Sequence, residues 1–346
     1  MNSNSLYDVS IIVLFININV FSCIKLLKMW IFLWEIIFLY AINRTDAIIV
    51  RKMFVASRKS VDSLDRRRIM KRIVTIQDVS CVGKCSLTVA LPIISAAGVE
   101  AGILPTAVLS THTAFDKFTF RDLTDEITPI AEAWKELAID FDAIYTGYLG
   151  SFEQVSLVSK FMDDFKKDDT AIFIDPVMAD NGVLYKGFTQ EFADSMAELC
   201  SKADLILPNL TEASFMLHLP YREDYDEAYI KEVLVKLTDL GAKCAAITGV
   251  SFSDDKIGFY LYDAITKEFF SYFNEKLPVA YHGTGDVFAS SALGAYMRGL
   301  SMADSLILAV DYTLESIKKT MADPNRRFYG VNFEEALPLL IDRLSK

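Results

Sequence analysis

Cysteine is sparse and poorly spaced in this chain of 346 residues. Cys23, Cys81, Cys85, Cys200 and Cys244 are odd in number and include no C-x-x-C pair. That argues against a disulfide framework and a zinc site, and favours reduced thiols in the cytoplasm. Histidine is rarer still, with three residues, so no His-rich metal centre is indicated. Basic residues are outnumbered, 35 Lys and Arg against 46 Asp and Glu, for a formal net charge of −11. Residues 1–69 hold ten Lys/Arg and five Asp/Glu, a net of +5, so residues 70–346 carry −16. Duplex binding is built on Lys and Arg contacts to phosphate, so nucleic acid is not the expected partner.

Long apolar runs are also missing. The runs at 11–24 and 30–42 each fall short of the roughly 20 residues a membrane-spanning helix needs. Joined, residues 9–42 would make an imperfect anchor, interrupted by Asn17, Asn19, Lys25, Lys28 and Glu35. The basic stretch 51–68 would then lie on the cytoplasmic side. No small-residue cleavage site follows, so a secretory leader is not indicated. Met70 opens "MKRIVTIQDVS", which starts directly on a strand-like pattern. Residues 1–69 are therefore expected to be an apolar and basic extension outside the fold. Residues 70–346 are expected to form one domain, with a membrane role only if the extension is a true anchor.

What the body does have is alternation. Continuous apolar runs at 72–77, 102–109, 142–147, 171–176, 204–209 and 244–249 predict buried strands. Helical patterns at 87–98, 124–138 and 151–165 lie between them. Such β-α units predict a mostly parallel sheet covered by helices on both faces. Residues 256–263 and 267–273 alternate like an antiparallel edge hairpin. Ligands of such sheets bind beyond the strands' carboxyl ends. Those ends carry Asp78, His112, Tyr148, Asp175, Asn209, Glu212 and Thr248.

The motifs vary in weight. "CVGKCSL" is not a phosphate-binding P-loop, because Asp78 and Cys85 stand where that pattern needs glycine and Ser or Thr. A lone His112 is more often structural than chemical, yet Thr111 and Thr113 flank it after a strand. Tyr148 between glycines is either a packed loop aromatic or a wall against a flat ligand. Asp175 at a strand end suits a hydrated Mg²⁺, while Asn209 and Glu212 have the spacing of a helix capping box. In "GTGD", Asp286 follows Gly283-Thr284-Gly285 at the start of an apolar helix. It reads as a helix-terminal acid, as a carboxylate beside an anion hole, or as both.

"TGYLGS", "DPVM", "PNLTE" and "GTGD", in this order, resemble the ribokinase superfamily over residues 71–320. "STHTAF" and "TGYLGSFEQ" are similar to its pyridoxal and pyridoxamine kinase branch. The resemblance implies a ribokinase-like α/β/α sandwich that phosphorylates the 5′-hydroxymethyl group of a vitamin B6 form with ATP. It implies that Asp286 is the base and that Gly283, Thr284 and Gly285 are the anion hole. It places Asp175, Asn209, Glu212, Thr248, Gly249 and Thr284 at the nucleotide, with Asp175 and Glu212 at Mg²⁺ and a monovalent cation as a further candidate. Asp78, His112, Thr113 and Tyr148 would surround the pyridine ring. Many relatives have serine where this chain has Asp78, whose carboxylate would favour the aminomethyl cation of pyridoxamine. A homodimer is expected. The rival expectations are a hydroxymethylpyrimidine kinase, a non-catalytic vitamer-binding protein and a membrane-anchored protein.

Overall fold

The computed structural model describes residues 70–345. The expectations for residues 1–69 lie outside them. The strands are β1 (Arg72–Val82), β2 (Glu100–Thr111), β3 (Phe120–Asp122), β4 (Ala143–Thr146), β5 (Ala171–Ile174), β6 (Ala179–Asp180), β7 (Val183–Leu184), β8 (Leu205–Ile206), β9 (Cys244–Ser253), β10 (Lys256–Asp263) and β11 (Glu268–Glu275). The helices are α1 (Leu87–Ala96), α2 (Thr124–Glu136), α3 (Phe152–Phe165), α4 (Gln190–Cys200), α5 (Leu210–Met216), α6 (Glu227–Asp239), α7 (Thr284–Met297), α8 (Met302–Ala322) and α9 (Phe333–Leu344).

Nine strands form one sheet in the order β11-β10-β9-β8-β5-β4-β1-β2-β3. From β9 to β2 all neighbours are parallel, and antiparallel strands lie at both edges. The sheet's centre is buried on both faces, with β4, β5 and β8 buried at every position and not at alternate ones. Side-chain alternation then sorts them. Val74, Ile76, Ile144, Ile172, Ile174 and Ile206 face helices α2 to α6. Ile73, Ala143, Tyr145, Ala171, Phe173 and Leu205 face α1, α7 and α8. Helix α9 closes a third cluster over α1, α7 and α8 through Phe333, Ala336 and Leu340. The ribokinase-like three-layer sandwich is thus present, and the edge hairpin β10–β11 is where alternation placed it. Among the described residues no helix is long and apolar enough to cross a membrane.

Three local departures from regularity shape the ligand end. The β1–β2 register slips between Gln77 and Val79, so Asp78 stands at a bulge, a device that re-aims a side chain. Asn181 and Gly182, at φ 50° and 78°, make the tight turn of the β6–β7 hairpin. That hairpin is not among the elements expected from the sequence, although its Asn-Gly signal is present there. The third departure is in the β10–β11 hairpin. A Cβ on Gly258 would lie 1.9 Å from the Tyr272 carbonyl oxygen and 2.8 Å from the Phe273 Cα, both backbone atoms. No rotamer change can relieve that clash. Gly258→Ala is expected to cost about 1–3 kcal/mol and to lower the melting temperature by several degrees. An unchanged melting temperature would show that the hairpin yields freely.

Candidate active site

The site begins with how α7 starts. Its N-cap is Gly283, at φ 78° and ψ 3°, with no side chain to cap the first amides. The first helical bond is Val287 N–H to the Gly283 carbonyl, at 3.0 Å. The N–H groups of Thr284, Gly285 and Asp286 therefore point out of the helix end, where anions bind. Asp286 is in the first turn and is not the cap. It is half-buried, and the Ser86 amide faces its carboxyl. Burial raises its pKa to about 7, a rise that the Ser86 amide opposes and the nearby Asp78 charge reinforces. A carboxyl poised there suits a general base.

A cavity of about 670 Å³ opens in front of this helix end. Asp175, Asn209, Glu212, Thr248, Gly249 and the Gly283–Asp286 turn all line it, so the structure brings together every residue expected at the nucleotide and the anion hole. Asp175 directly follows β5, and two residues on, Val177 is held at φ 24°, with its amide lowering the Asp175 pKa. Burial, then Glu212, then Asp286 push the Asp175 pKa well up. Asn209 and Glu212 do form a capping box on α5, with bonds of 2.9 Å each way. The other Glu212 oxygen accepts the Met178 amide at 3.0 Å, so both its oxygens already face backbone donors. Burial raises the Glu212 pKa despite those bonds.

No group of three or more His, Cys, Asp or Glu able to hold a metal is present among the described residues. The donor set nevertheless fits Mg²⁺, which prefers one or two carboxylates and keeps several waters. Two nearby buried acids, both with raised pKa values, are the kind of pair that a divalent cation relieves. Sequence reasoning missed Asp180 and Tyr185, which reach the cavity from the β6–β7 hairpin. Burial, then Glu212, Asp180, Asp175 and Asp286 push the Tyr185 hydroxyl up.

The expected ring pocket is built differently. Asp78, His112, Thr113 and Tyr148 do not line the cavity. His112 touches it indirectly, through the His282 ring 5.3 Å away. The Ala114 amide donates to His112 Nδ1 at 3.1 Å, which leaves Nε2–H to donate to the Tyr329 carbonyl at 3.0 Å. With both nitrogens engaged, His112 offers a ring wall and no free hydrogen bond. Thr113 is exposed. The Tyr148 ring lies 5.8 Å from that of Phe188, and burial, then the Asp78 charge, raise the Tyr148 hydroxyl. Asp78 is buried, accepting from Ser86 Oγ at 2.6 Å and Ser80 Oγ at 3.0 Å. Burial raises its pKa over those lowering bonds, which weakens the argument for an ionic contact with an aminomethyl cation.

Comparison with known proteins finds similarity to phosphomethylpyrimidine, pyridoxal and pyridoxine kinases. The family model described as phosphomethylpyrimidine kinase matches residues 94–331. A Bacteroides thetaiotaomicron VPI-5482 protein, assigned provisionally as a phosphomethylpyrimidine kinase, is 41% identical at a TM-score of 0.76, covering 78% of this chain and 94% of its own. Its orthorhombic crystal form is described as containing pyridoxal, and matches with a TM-score of 0.75 at 41% identity over 79% of this chain and 96% of its own. Pyridoxal kinase from Lactobacillus plantarum is 29% identical at a TM-score of 0.74, over 80% of this chain and 98% of its own. The pyridoxine kinase of Bacillus subtilis (strain 168) is 29% identical over 206 residues, 58% of this chain and 72% of its own.

The Asp286 environment has a consequence for stability. Between its ordinary value of 3.8 and about 7, the folded chain holds a proton that the unfolded chain has released. The contribution of this group to stability therefore falls as pH rises through that window and is least above it. Asp286→Asn should be more stable than the parent at pH 8, by about 2 kcal/mol, with the gap closing toward pH 4. Thermal denaturation across that range checks it. A variant less stable at pH 8 would mean that the carboxylate is well solvated or paired.

Proposed function

Since the chain belongs to the phosphomethylpyrimidine kinase family, we propose that it phosphorylates the 5′-hydroxymethyl group of pyridoxal, pyridoxamine or pyridoxine with ATP. The observation that carries the proposal is the Asp286 carboxyl standing in the same helix turn as three uncapped amides, at the edge of a cavity of about 670 Å³. The acceptor hydroxyl would lie against Asp286, and the γ-phosphoryl group against the amides of Thr284, Gly285 and Asp286. Asp286 takes the hydroxyl proton as the oxygen bonds to phosphorus. The bond from phosphorus to the bridging oxygen breaks, and ADP leaves with its electron pair. The amides face the negative oxygens throughout and stabilise them most where charge builds up.

Asn209, Thr248 and Gly249 would position the nucleotide along the β8 and β9 ends of the cavity. Asp175 would hold Mg²⁺, with Glu212 as a fixed charge nearby, because its own oxygens are occupied. When bound with ATP, the ion supplies charge neutralisation on the phosphoryl oxygens. Asp78, Tyr148 and the His112 ring would wall the acceptor. The activity would reside within residues 70–346, in a cytoplasmic homodimer. The family description, phosphomethylpyrimidine kinase, points to a pyrimidine as the second reading, with hydroxymethylpyrimidine as its alcohol acceptor. The pyridoxal of the similar Bacteroides protein and the names of the other two relatives favour the B6 forms.

Purified protein supplied with Mg²⁺, ATP and each acceptor separates them by product formation. At least one B6 form should exceed hydroxymethylpyrimidine in kcat/KM by tenfold or more, about 1.4 kcal/mol; the reverse order would establish the second reading. Asp286→Asn should lower kcat by about 10²–10⁴-fold while ATP still binds. For the unaltered protein, kcat/KM should fall below pH 7 as Asp286 takes up a proton. Half of the parent turnover surviving in Asp286→Asn would remove the base from the scheme.

A further inference from the structure

Ser86 stands at the turn between β1 and α1, with 7% of its surface exposed, and it is doubly anomalous. It is the N-cap residue of α1, yet its side chain makes no capping bond. Serine at an N-cap ordinarily accepts from an amide of the first turn. Here its hydroxyl instead donates to Asp78 Oδ1 at 2.6 Å. Its backbone is at φ 50° and ψ −134°, a region that glycine enters readily and an L side chain rarely does. A glycine would suit the turn better, and what glycine lacks is the hydroxyl. The Ser86 amide also faces the Asp286 carboxyl and lowers its pKa.

We propose that Ser86 is a positioning residue of the catalytic base, linking Asp78 to Asp286 through its hydroxyl bond on one side and the seating of its turn on the start of α7 on the other. The surroundings hold this tie rigid. Ser80 Oγ takes the second Asp78 oxygen at 3.0 Å, so the carboxylate is held at both ends beside the β1 bulge. Two residues before Ser86, the Lys84 carbonyl packs where a Cβ on Gly283 would sit, 1.8 Å from that position. The turn that carries Ser86 is therefore seated on the start of α7, and a shift of Ser86 or Asp78 is passed to Asp286. Loss of the hydroxyl would free the turn to relax and Asp286 to drift from the acceptor oxygen. Misplacement on that scale costs rate and leaves nucleotide affinity alone.

The inference rests on Asp286 being the base, and the test separates the two. Ser86→Gly removes the hydroxyl and relieves the backbone. It should melt at or above the parent temperature, yet lose about 10–100-fold in kcat with the ATP KM within about threefold. Ser86→Thr keeps the hydroxyl and adds a β-branch at a positive φ. It should melt lower, yet keep kcat within about threefold. Stability and rate moving in opposite directions is a result that a merely structural serine would not produce; kcat that tracks the melting temperature in both variants overturns the proposal. Ser86→Gly combined with Asp78→Asn should be no slower than the worse single change, because both cut one linkage. Multiplying losses would also overturn it. Asp286→Asn run alongside marks the other failure. Turnover surviving there removes the base and this role with it, whereas turnover lost there and kept in Ser86→Gly removes Ser86 alone.

Discussion

Helix α7 starts on a residue that can only be glycine. Gly283 is left-handed at φ 78°, and a Cβ there would lie 1.8 Å from the Lys84 carbonyl oxygen. Both facts leave the helix without a capping side chain, so its leading amides must find another partner. The same contact makes the β1–α1 turn the seat of the helix end. Gly330 adds to it, because a Cβ there would lie 2.3 Å from the Lys84 Cβ. Lys84 also reaches on to Glu334 at 2.8 Å, so the first turn of α9 is fastened to the same turn. The proposed anion hole and the start of the C-terminal helix thus depend on one close approach of backbone to backbone.

The second constraint is electrostatic. Asp175, Asp180, Glu212, Glu275 and Asp286 line the cavity against Lys276 and His282. Burial and mutual repulsion push Asp175 up, and burial alone is the largest cause at Glu212 and Asp286. Acids gathered like this destabilise the fold that holds them, and they persist where they serve a reaction. A nucleotide triphosphate alone would worsen the repulsion, so the cavity can accept one only together with cations. The uncapped amides supply the remaining positive character without any charged side chain, which is how an acidic cleft can still hold phosphate.

Much of this was legible in the residues, for identifiable reasons. Strands buried on both faces leave continuous apolar runs, so β4, β5 and β8 could be placed to within a few residues. The β10–β11 hairpin alternates over Lys256–Asp263, the range the structure shows. Gly283 to Asp286 could be read because a glycine turn, an acid and an apolar helix are contiguous. What stayed hidden depends on contacts distant in sequence. The Asp78 bulge exists only against β2, and the engagement of His112 depends on the Tyr329 carbonyl, 217 residues away. The Ser86 backbone conformation has no compositional signal at all, since nothing about serine announces φ 50°. Asn181-Gly182 is the exception, a local signal that was present and unused.

The two halves of the site differ in a way that bears on selectivity. On the proposed nucleotide side, helix-end amides and closely spaced acids face the cavity. On the proposed acceptor side, Asp78 and His112 already have protein partners, at both carboxyl oxygens and both ring nitrogens. A site built on unpaired polar groups rejects an analogue lacking the matching group by large factors. A site whose polar groups are satisfied discriminates by shape and stacking, which separates close analogues weakly. On the proposed reading, the acceptor pocket should therefore tolerate an aldehyde, an alcohol or an amine at the same ring position. Its sharper demand is geometric, for a hydroxymethyl group that reaches Asp286 while the ring lies between Tyr148 and the packed wall of His112.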